Sequence, residues 1–146
     1  MRYLLSLILI CCTILLQAQS IKLKYEAKVK SCTFKVEKIK VENNQTLVFL
    51  KIKQRQNFSY SISFAECSIS TPSAPDGVKG VLKGWNDEEK IWRDTKTISD
   101  QDWEECTLAF PSTDILNSQQ IDLMVGRILD RDKTEILFKG ISLKKK

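Results

Sequence analysis

Residues 58–64 read Phe-Ser-Tyr-Ser-Ile-Ser-Phe, and the strict alternation of apolar and polar residues in this stretch decides the fold class. The side chains of Phe58, Tyr60, Ile62 and Phe64 fall on one face, and the three serines fall on the other. A period of two residues is typical of a β-strand that is buried on one side. We therefore predict a strand here, with its aromatic face in the core.

Similar patterns recur along the chain, where runs rich in Val, Ile, Phe and Thr are separated by turn residues. The runs predict strands at residues 21–29, 32–41, 46–53, 78–82, 106–110, 121–125 and 135–143. About seven or eight short strands without a long amphipathic helix favour an all-β fold. We predict an antiparallel β-sandwich of immunoglobulin-like size, with a small β-barrel as the alternative. The predicted core consists of Phe34, Val36, Leu47, Phe49, Ile52, Phe58, Tyr60, Ile62, Phe64, Leu108, Phe110, Ile121, Leu123, Phe138, Ile141 and Leu143.

Three local features refine this prediction. The alternation changes phase within residues 32–41, which predicts a β-bulge near Lys38. Residues 42–45 contain Asn43 and Asn44 and predict a hairpin turn, because Asn tolerates positive φ. Residues 84–105 carry no strand signal, and we expect one or two short helical turns there, the first opened by Asn86 and Glu89 as a capping box.

The amino terminus has the layout of a secretory signal peptide. A short cationic start at Arg2 precedes an apolar run over residues 3–16, and small and polar residues follow at 17–20. We expect cleavage after Ala18, so that residues 19–146 form a single β-sandwich domain that is periplasmic or extracellular and has no membrane span after processing. The run of 14 residues is shorter than the roughly 20 that a membrane helix requires. Lipidation at Cys11 or Cys12 is a further alternative, although neither follows a small residue.

The charges of the mature chain are unevenly distributed. Arg2 is the only charged residue in the first 18, so 22 basic and 18 acidic residues remain and the net charge is +4. Residues 20–55 hold ten Lys or Arg and three Glu, whereas residues 85–106 hold eight acids and three bases. Lysines that alternate with apolar residues indicate a solvated strand face, and a site for a polyanion is the alternative interpretation. No nucleic-acid-binding motif is present, and we expect no nucleic acid as a partner.

The mature chain retains three cysteines, Cys32, Cys67 and Cys106. Export would place them in an oxidising compartment where a disulfide persists, and an odd number leaves at least one free thiol. Cys32 and Cys106 are both in phase with apolar neighbours, so we predict that a bridge, if one forms, joins these two. Three free thiols are the alternative.

The residue types present exclude several chemistries. The chain contains no histidine, which removes Ser-His and Cys-His nucleophiles and His-containing zinc sites. It also contains no phosphate-binding glycine loop and no nucleophile elbow. The acids Asp100, Asp102, Glu104 and Glu105 indicate a solvated loop, with a calcium site or a glycosidase pair as alternatives. We expect no enzymatic activity, no cofactor and no metal.

All three tryptophans lie in the acidic segment at residues 84–105. Exposed aromatic rings beside acids suit either a sugar or a protein hot spot, and buried rings would instead anchor the loop. We predict a ligand-binding surface made of Trp85, Trp92, Trp103, Asp102 and Glu105.

The carboxyl-terminal third shows a family resemblance. The segments are Leu-Ala-Phe-Pro at 108–111, Ile-Asp-Leu-Met-Val-Gly at 121–126 and Phe-Lys-Gly-Ile-Ser-Leu at 138–143. Together with the aromatic strand at 58–64 and Asp76-Gly77, they resemble small exported β-sandwich domains of Gram-negative bacteria that carry an F-x-P…D-x-x-x-G…G-I-x-L pattern. The resemblance implies the fold and export, and it carries no catalytic motif. We expect a non-enzymatic interaction or structural domain of the cell envelope whose partner, a protein or a glycan, is left open, with a carbohydrate-binding module that uses the Trp-rich acidic segment as the alternative.

Overall fold

A computed structural model describes residues 19–57, 59–88, 90–99 and 101–144. The predicted signal peptide, Phe58, Glu89 and Asp100 lie outside the described residues. Regular structure within these ranges is β, apart from one turn of 3₁₀ helix at Asp114–Asn117. In chain order the strands are β1 Ser20–Val29, β2 Cys32–Glu42, β3 Gln45–Gln54, β4 Tyr60–Ser63, β5 Ser68–Thr71, β6 Ala74–Lys79, β7 Val81–Trp85, β8 Thr95–Ile98, β9 Glu104–Phe110, β10 Gln120–Ile128 and β11 Glu135–Ser142.

The strands form two antiparallel sheets. The first sheet has the order β1-β2-β3-β9-β7, and the second has the order β6-β5-β10-β4-β8 with β11 paired to β10. One edge of β10 pairs with β11 along nearly its whole length. The other edge of β10 pairs with β5 in its first half and with β4 near its end, so β5 and β4 lie one after the other along this edge. The predicted antiparallel β-sandwich is confirmed.

The core lies between the two sheets and is closed by aromatic contacts near opposite edges. Phe138 on β11 contacts Tyr25 and Phe34 of the first sheet, with ring centroids 5.5 and 5.6 Å apart. Phe64, directly after β4, contacts Trp85 on β7 at 5.9 Å. Burying each such ring contributes roughly 1.5–3 kcal/mol, so these contacts hold the sheets together at both sides of the sandwich.

The structure confirms the two predictions that depended on local backbone chemistry. The pairing of β2 with β3 shifts register between Val36 and Lys38, which is the expected bulge. Asn43 and Asn44 have φ values of +51° and +59° in the turn that joins these strands. Left-handed conformations at both central positions are typical of the tight turns that connect hairpins.

The prediction of short helices in residues 84–105 is wrong for the described part of that segment. β7 extends to Trp85, β9 begins at Glu104, and β8 lies between them at Thr95–Ile98. β8 forms because it pairs with β4 over four consecutive residues. Three of its residues, Thr95, Thr97 and Ile98, are β-branched and suit a strand once this pairing forms.

The other differences concern strand limits. The predicted strand at residues 78–82 divides at Gly80, where the chain passes from β6 in the second sheet to β7 in the first. β5, and the part of β6 that precedes residue 78, lie outside the predicted strands. Both β5 and β6 are stabilised by pairing within the second sheet rather than by their own apolar content.

Most of the predicted core residues are buried, with two corrections. Phe49 points outward and is half-buried, because Val48, Leu50 and Ile52 are the inward side chains of β3. Apolar residues occupy both faces of β3, so alternation alone did not define its phase. Tyr60 is half-buried at the start of β4, and Phe58 lies outside the described residues.

Candidate functional site

The segment that carries the tryptophans leaves and rejoins the first sheet at one fixed point. The side-chain Oδ1 of Asn86 accepts a 2.7 Å hydrogen bond from the backbone N–H of Glu105, and its Nδ2 donates to the carboxylate of Glu104. The backbone N–H of Asn86 also donates to the carbonyl of Glu105 at 2.7 Å. Asn86 adopts a φ of +46°, a left-handed conformation that Asn tolerates. Three hydrogen bonds therefore tie the base of the segment to β9.

The structure separates the three tryptophans. Trp85 is buried against Phe64 and belongs to the core. Trp103 is half-buried, with the Nζ of Lys35 lying 4.4 Å from its ring centroid. Trp92 is 85% exposed. The expectation that all three rings share one binding surface is therefore wrong, and Trp92 is the one whose ring is presented to solvent.

The two predicted acidic site residues also lie away from Trp92. Glu105 is exposed, and its carboxylate lies 3.4 Å from the Nζ of Lys51 on the outward side of the first sheet. Asp102 is exposed at the approach to β9. Neither residue lines the groove that contains Trp92.

A groove of about 630 Å³ is lined by residues from both sheets. Its lining comes from three segments: residues 64–65 after β4, residues 80–82 at the start of β7, and residues 91–95 before and at the start of β8. β7 is an edge strand of the first sheet, and β8 is an edge strand of the second sheet. We call this feature the Trp92 groove.

The Trp92 groove combines a closely packed floor with exposed apolar walls. The backbone N–H of Phe64 donates to the carbonyl of Asp94 at 2.8 Å, which ties the segment before β8 to the core. A Cβ on Gly80 would lie 2.5 Å from the Phe110 ring, so only glycine fits where the chain crosses between the sheets. Val81 is 63% exposed, and with Trp92 it is the most exposed large apolar residue of the described chain.

Sequence reasoning found Trp92 but missed Phe64, Gly80, Val81 and Ile91, which line the same groove. These residues come from segments up to about 30 positions apart and meet only because two sheet edges converge. Nothing in the sequence indicated that Val81 is exposed, because a valine in a strand is usually buried.

The predicted bridge between Cys32 and Cys106 is not formed, and all three described cysteines are free and buried. On β3, Cys32 is level with Gln54 and Cys106 with Leu50, on opposite edges of that strand. This separation of four residues and two strand spacings is about 16 Å, whereas a disulfide requires Cα atoms within roughly 7 Å. Burial raises the pKa of Cys32 to about 11, so its neutral thiol is favoured.

The described residues also bear on metal binding and on membrane-spanning helices. They contain no group of three or more His, Cys, Asp or Glu side chains that could hold a metal ion. Asp100, one of the acids considered for calcium, lies outside them. A search of the same residues finds no helix of the length and apolarity needed to cross a membrane.

The architecture defines the chain as a small two-sheet antiparallel β-sandwich. It is similar to the crystal structure of the yjhA protein from Bacillus subtilis, with a TM-score of 0.54 over 82% of this chain and 98% of that chain. The two sequences are 13% identical, so the likeness concerns the fold alone. No protein-family model and no curated protein sequence matches the chain.

Proposed function

We propose that the chain is an exported, non-enzymatic binding domain of the cell envelope, and that it holds a protein partner in the Trp92 groove. The observation that carries the proposal is the exposure of Trp92 and Val81 in one groove between two sheet edges. Tryptophan is enriched among the residues that dominate protein interfaces. Covering a ring of about 150–200 Å² would contribute on the order of 4 kcal/mol.

Export is supported by the signal-peptide layout of residues 1–18. The absence of histidine and of nucleophile motifs from the sequence supports a binding role over catalysis. Binding loops carried by a rigid β-scaffold are a common arrangement, and the groove has this form.

The free edge of β7 favours a protein partner. β7 pairs with β9 on one side, and among the described residues it ends the order of the first sheet on the other, where its last residue, Trp85, forms an isolated bridge with Glu88. An extended peptide can add to such an edge through main-chain hydrogen bonds, while its side chains enter adjacent pockets. Phe64, Ile91 and Trp92 would provide the apolar pocket beside this edge.

A neutral glycan is the second candidate. Arg93 and Asp94 line the groove next to Trp92 and offer hydrogen-bonding groups beside an aromatic ring. A sugar would stack its C–H face on the ring and use its hydroxyl groups to bind the two charged side chains.

The two candidates are separated by selecting peptides from a random display library on the mature chain and by probing a glycan array in parallel. Selected peptides should lose at least about 30-fold in affinity on Trp92→Ala, the equivalent of roughly 2 kcal/mol. The matched control is Leu137→Ala, which removes an exposed apolar side chain from β11 in the second sheet. It should change affinity less than twofold.

The free energy of unfolding of Trp92→Ala, measured in urea, should stay within about 1 kcal/mol of the value for the unsubstituted chain, because an exposed ring contributes little to folding. If the chain binds neutral glycans but no peptides, and Trp92→Ala abolishes that binding, the partner is a sugar and not a protein. Peptides that bind Trp92→Ala as tightly as the unsubstituted chain would contradict the groove as the site.

A further inference from the structure

A second surface of the sandwich concentrates positive charge. The outward side of β1, β2 and β3 presents a set of lysines that we call the lysine face: Lys22, Lys28, Lys35, Lys38, Lys51 and Lys53. Their orientation follows from the pleat, because Ile21, Phe34, Ile39 and Ile52 beside them are buried in the core. This surface is distinct from the Trp92 groove, whose lining includes none of these lysines.

The register of the strands places like charges directly opposite each other. Lys22 is paired with Lys38 across β1 and β2, and Lys35 is paired with Lys51 across β2 and β3. Opposed like charges destabilise a sheet. Sheet stability therefore does not explain the Lys22–Lys38 pair, in which neither lysine has an ion pair among the described residues, and an anionic ligand would.

Carboxylates neutralise only part of the lysine face. Glu26 lies 3.6 Å from the Nζ of Lys35, and Glu37 and Glu105 both lie 3.4 Å from the Nζ of Lys51. The lysines at 22, 28, 38 and 53 have no carboxylate within ion-pair distance among the described residues. Within this set of residues, six cations against three acids leave a net charge of +3.

Two aromatic rings lie among these lysines. The Nζ of Lys38 lies 4.3 Å from the ring centroid of Phe49. The Nζ atoms of Lys35 and Lys53 lie 4.4 and 5.8 Å from the ring centroid of Trp103. A half-buried indole flanked by two ammonium groups offers an apolar plane and two charges to one ligand unit, which suits a sugar ring that carries an acidic group.

A buried hydroxyl in the same surface has no partner. Thr33 occupies an outward position between Lys28 on β1 and Lys53 on β3, is 1% exposed, and has no hydrogen bond to its Oγ1. A buried hydroxyl without a partner is destabilising and calls for an explanation. An oxygen of a ligand seated between these lysines would provide the missing partner.

We propose that the lysine face binds a linear acidic polysaccharide, with Trp103 and Phe49 packing against sugar rings and the lysines pairing with their carboxylate or sulfate groups. All the cations of this face are lysines, each of which presents one compact positive charge that can pair with one acidic group of a ligand. Neighbouring lysines are separated by about 4.8 Å across strands and roughly 6.6 Å along them. The proposal adds a second site and does not depend on the Trp92 groove.

The test measures binding of the mature chain to alginate, a carboxylated polymer, and to heparin, a sulfated one, at several salt concentrations. The variant Lys38→Gln/Lys53→Gln removes two lysines that have no carboxylate partner and lie beside Phe49 and Trp103. We expect at least tenfold weaker binding and a shallower salt dependence, because fewer counterions are released. Preference for one polymer identifies the acidic group.

The matched control, Lys133→Gln/Lys139→Gln, removes the same charge from exposed positions near β11. It should weaken binding less than twofold, and Trp92→Ala should leave binding unchanged. Trp103→Ala should weaken binding even at high salt, where charge contributes least.

Equal losses in the control and in the lysine-face variant would overturn the proposal, because they would indicate an effect of net charge alone. So would tighter binding to vesicles of anionic phospholipid or to duplex DNA than to either polysaccharide. Binding to neither polymer at low salt, with a variant that unfolds in urea like the unsubstituted chain, would also overturn it.

Discussion

Substitution of Gly126 by alanine is expected to destabilise the sandwich where its second sheet changes partners. Gly126 lies in β10 with a φ of +155°, next to the point where pairing passes from β5 to β4. A Cβ built on this residue would lie 2.1 Å from the carbonyl oxygen of Ser63 and 3.2 Å from the Cα of Phe64. Both contacts are with backbone atoms, which cannot be relieved by rotating a side chain, so β10 and β4 must separate.

The magnitude follows from what that separation breaks. Arg127 and Ile128 pair with Ser63 and Ile62, and the N–H of Leu129 donates to the carbonyl of Ser61 at 2.8 Å. Two or three lost hydrogen bonds cost about 1 kcal/mol each. The unfavourable φ adds roughly 1–2 kcal/mol for a residue with a Cβ. We therefore expect a loss of about 4 kcal/mol, a large share of the 5–15 kcal/mol typical of a domain.

The measurement is equilibrium unfolding in urea, with Gly140→Ala as the matched control. Gly140 has a φ of +66° in β11 of the same sheet, and a Cβ there would meet no atom within 4 Å. The control should cost only the conformational strain, about 1 kcal/mol. The difference between the two variants isolates the close approach of β10 to β4. Equal destabilisation by both variants would refute this reasoning.

Two further predictions concern the buried thiols and the signal peptide. Burial raises the pKa of Cys32 and of Cys67 to about 11, so their neutral forms stabilise the fold fully below the ordinary thiol pKa of 9.0, and this contribution is lost as the pH rises through 11. The urea midpoint should fall more steeply between pH 9 and 11 in the unsubstituted chain than in Cys32→Ala/Cys67→Ala, and parallel pH profiles would contradict this. Intact-mass analysis of exported protein should give a chain that begins at Gln19, whereas retention of Met1 or a lipid mass on Cys12 would exclude the proposed processing.

Much of the fold was accessible from the sequence because its signals are local. The strand at β4 was predicted from alternation, and Ile62 within it and Phe64 directly after it are buried. The bulge near Lys38 followed from a change of phase, and the hairpin turn followed from Asn43 and Asn44. Each of these features depends on residues that are neighbours along the chain.

The binding surfaces were less accessible. The sequence singled out Trp92 and the excess of lysines in residues 20–55, but it grouped Trp92 with two rings that face elsewhere. Trp85 enters the core because β7 pairs with β9 and brings the ring to Phe64. Trp103 lies over lysines of β2 and β3 that are at least 50 residues earlier in the chain.

The sequence by itself determined the all-β class, the main strands and the turn chemistry, because periodicity and backbone preference are properties of adjacent residues. Only the tertiary structure decided the phase of β3, the existence of β5 and β8, and the separation of Cys32 from Cys106 by two strands. It also decided that the edges of both sheets line one groove beside Trp92, and that the lysines of β1–β3 form one face. These features arise from pairing between distant segments, and no local pattern encodes which strands will be neighbours.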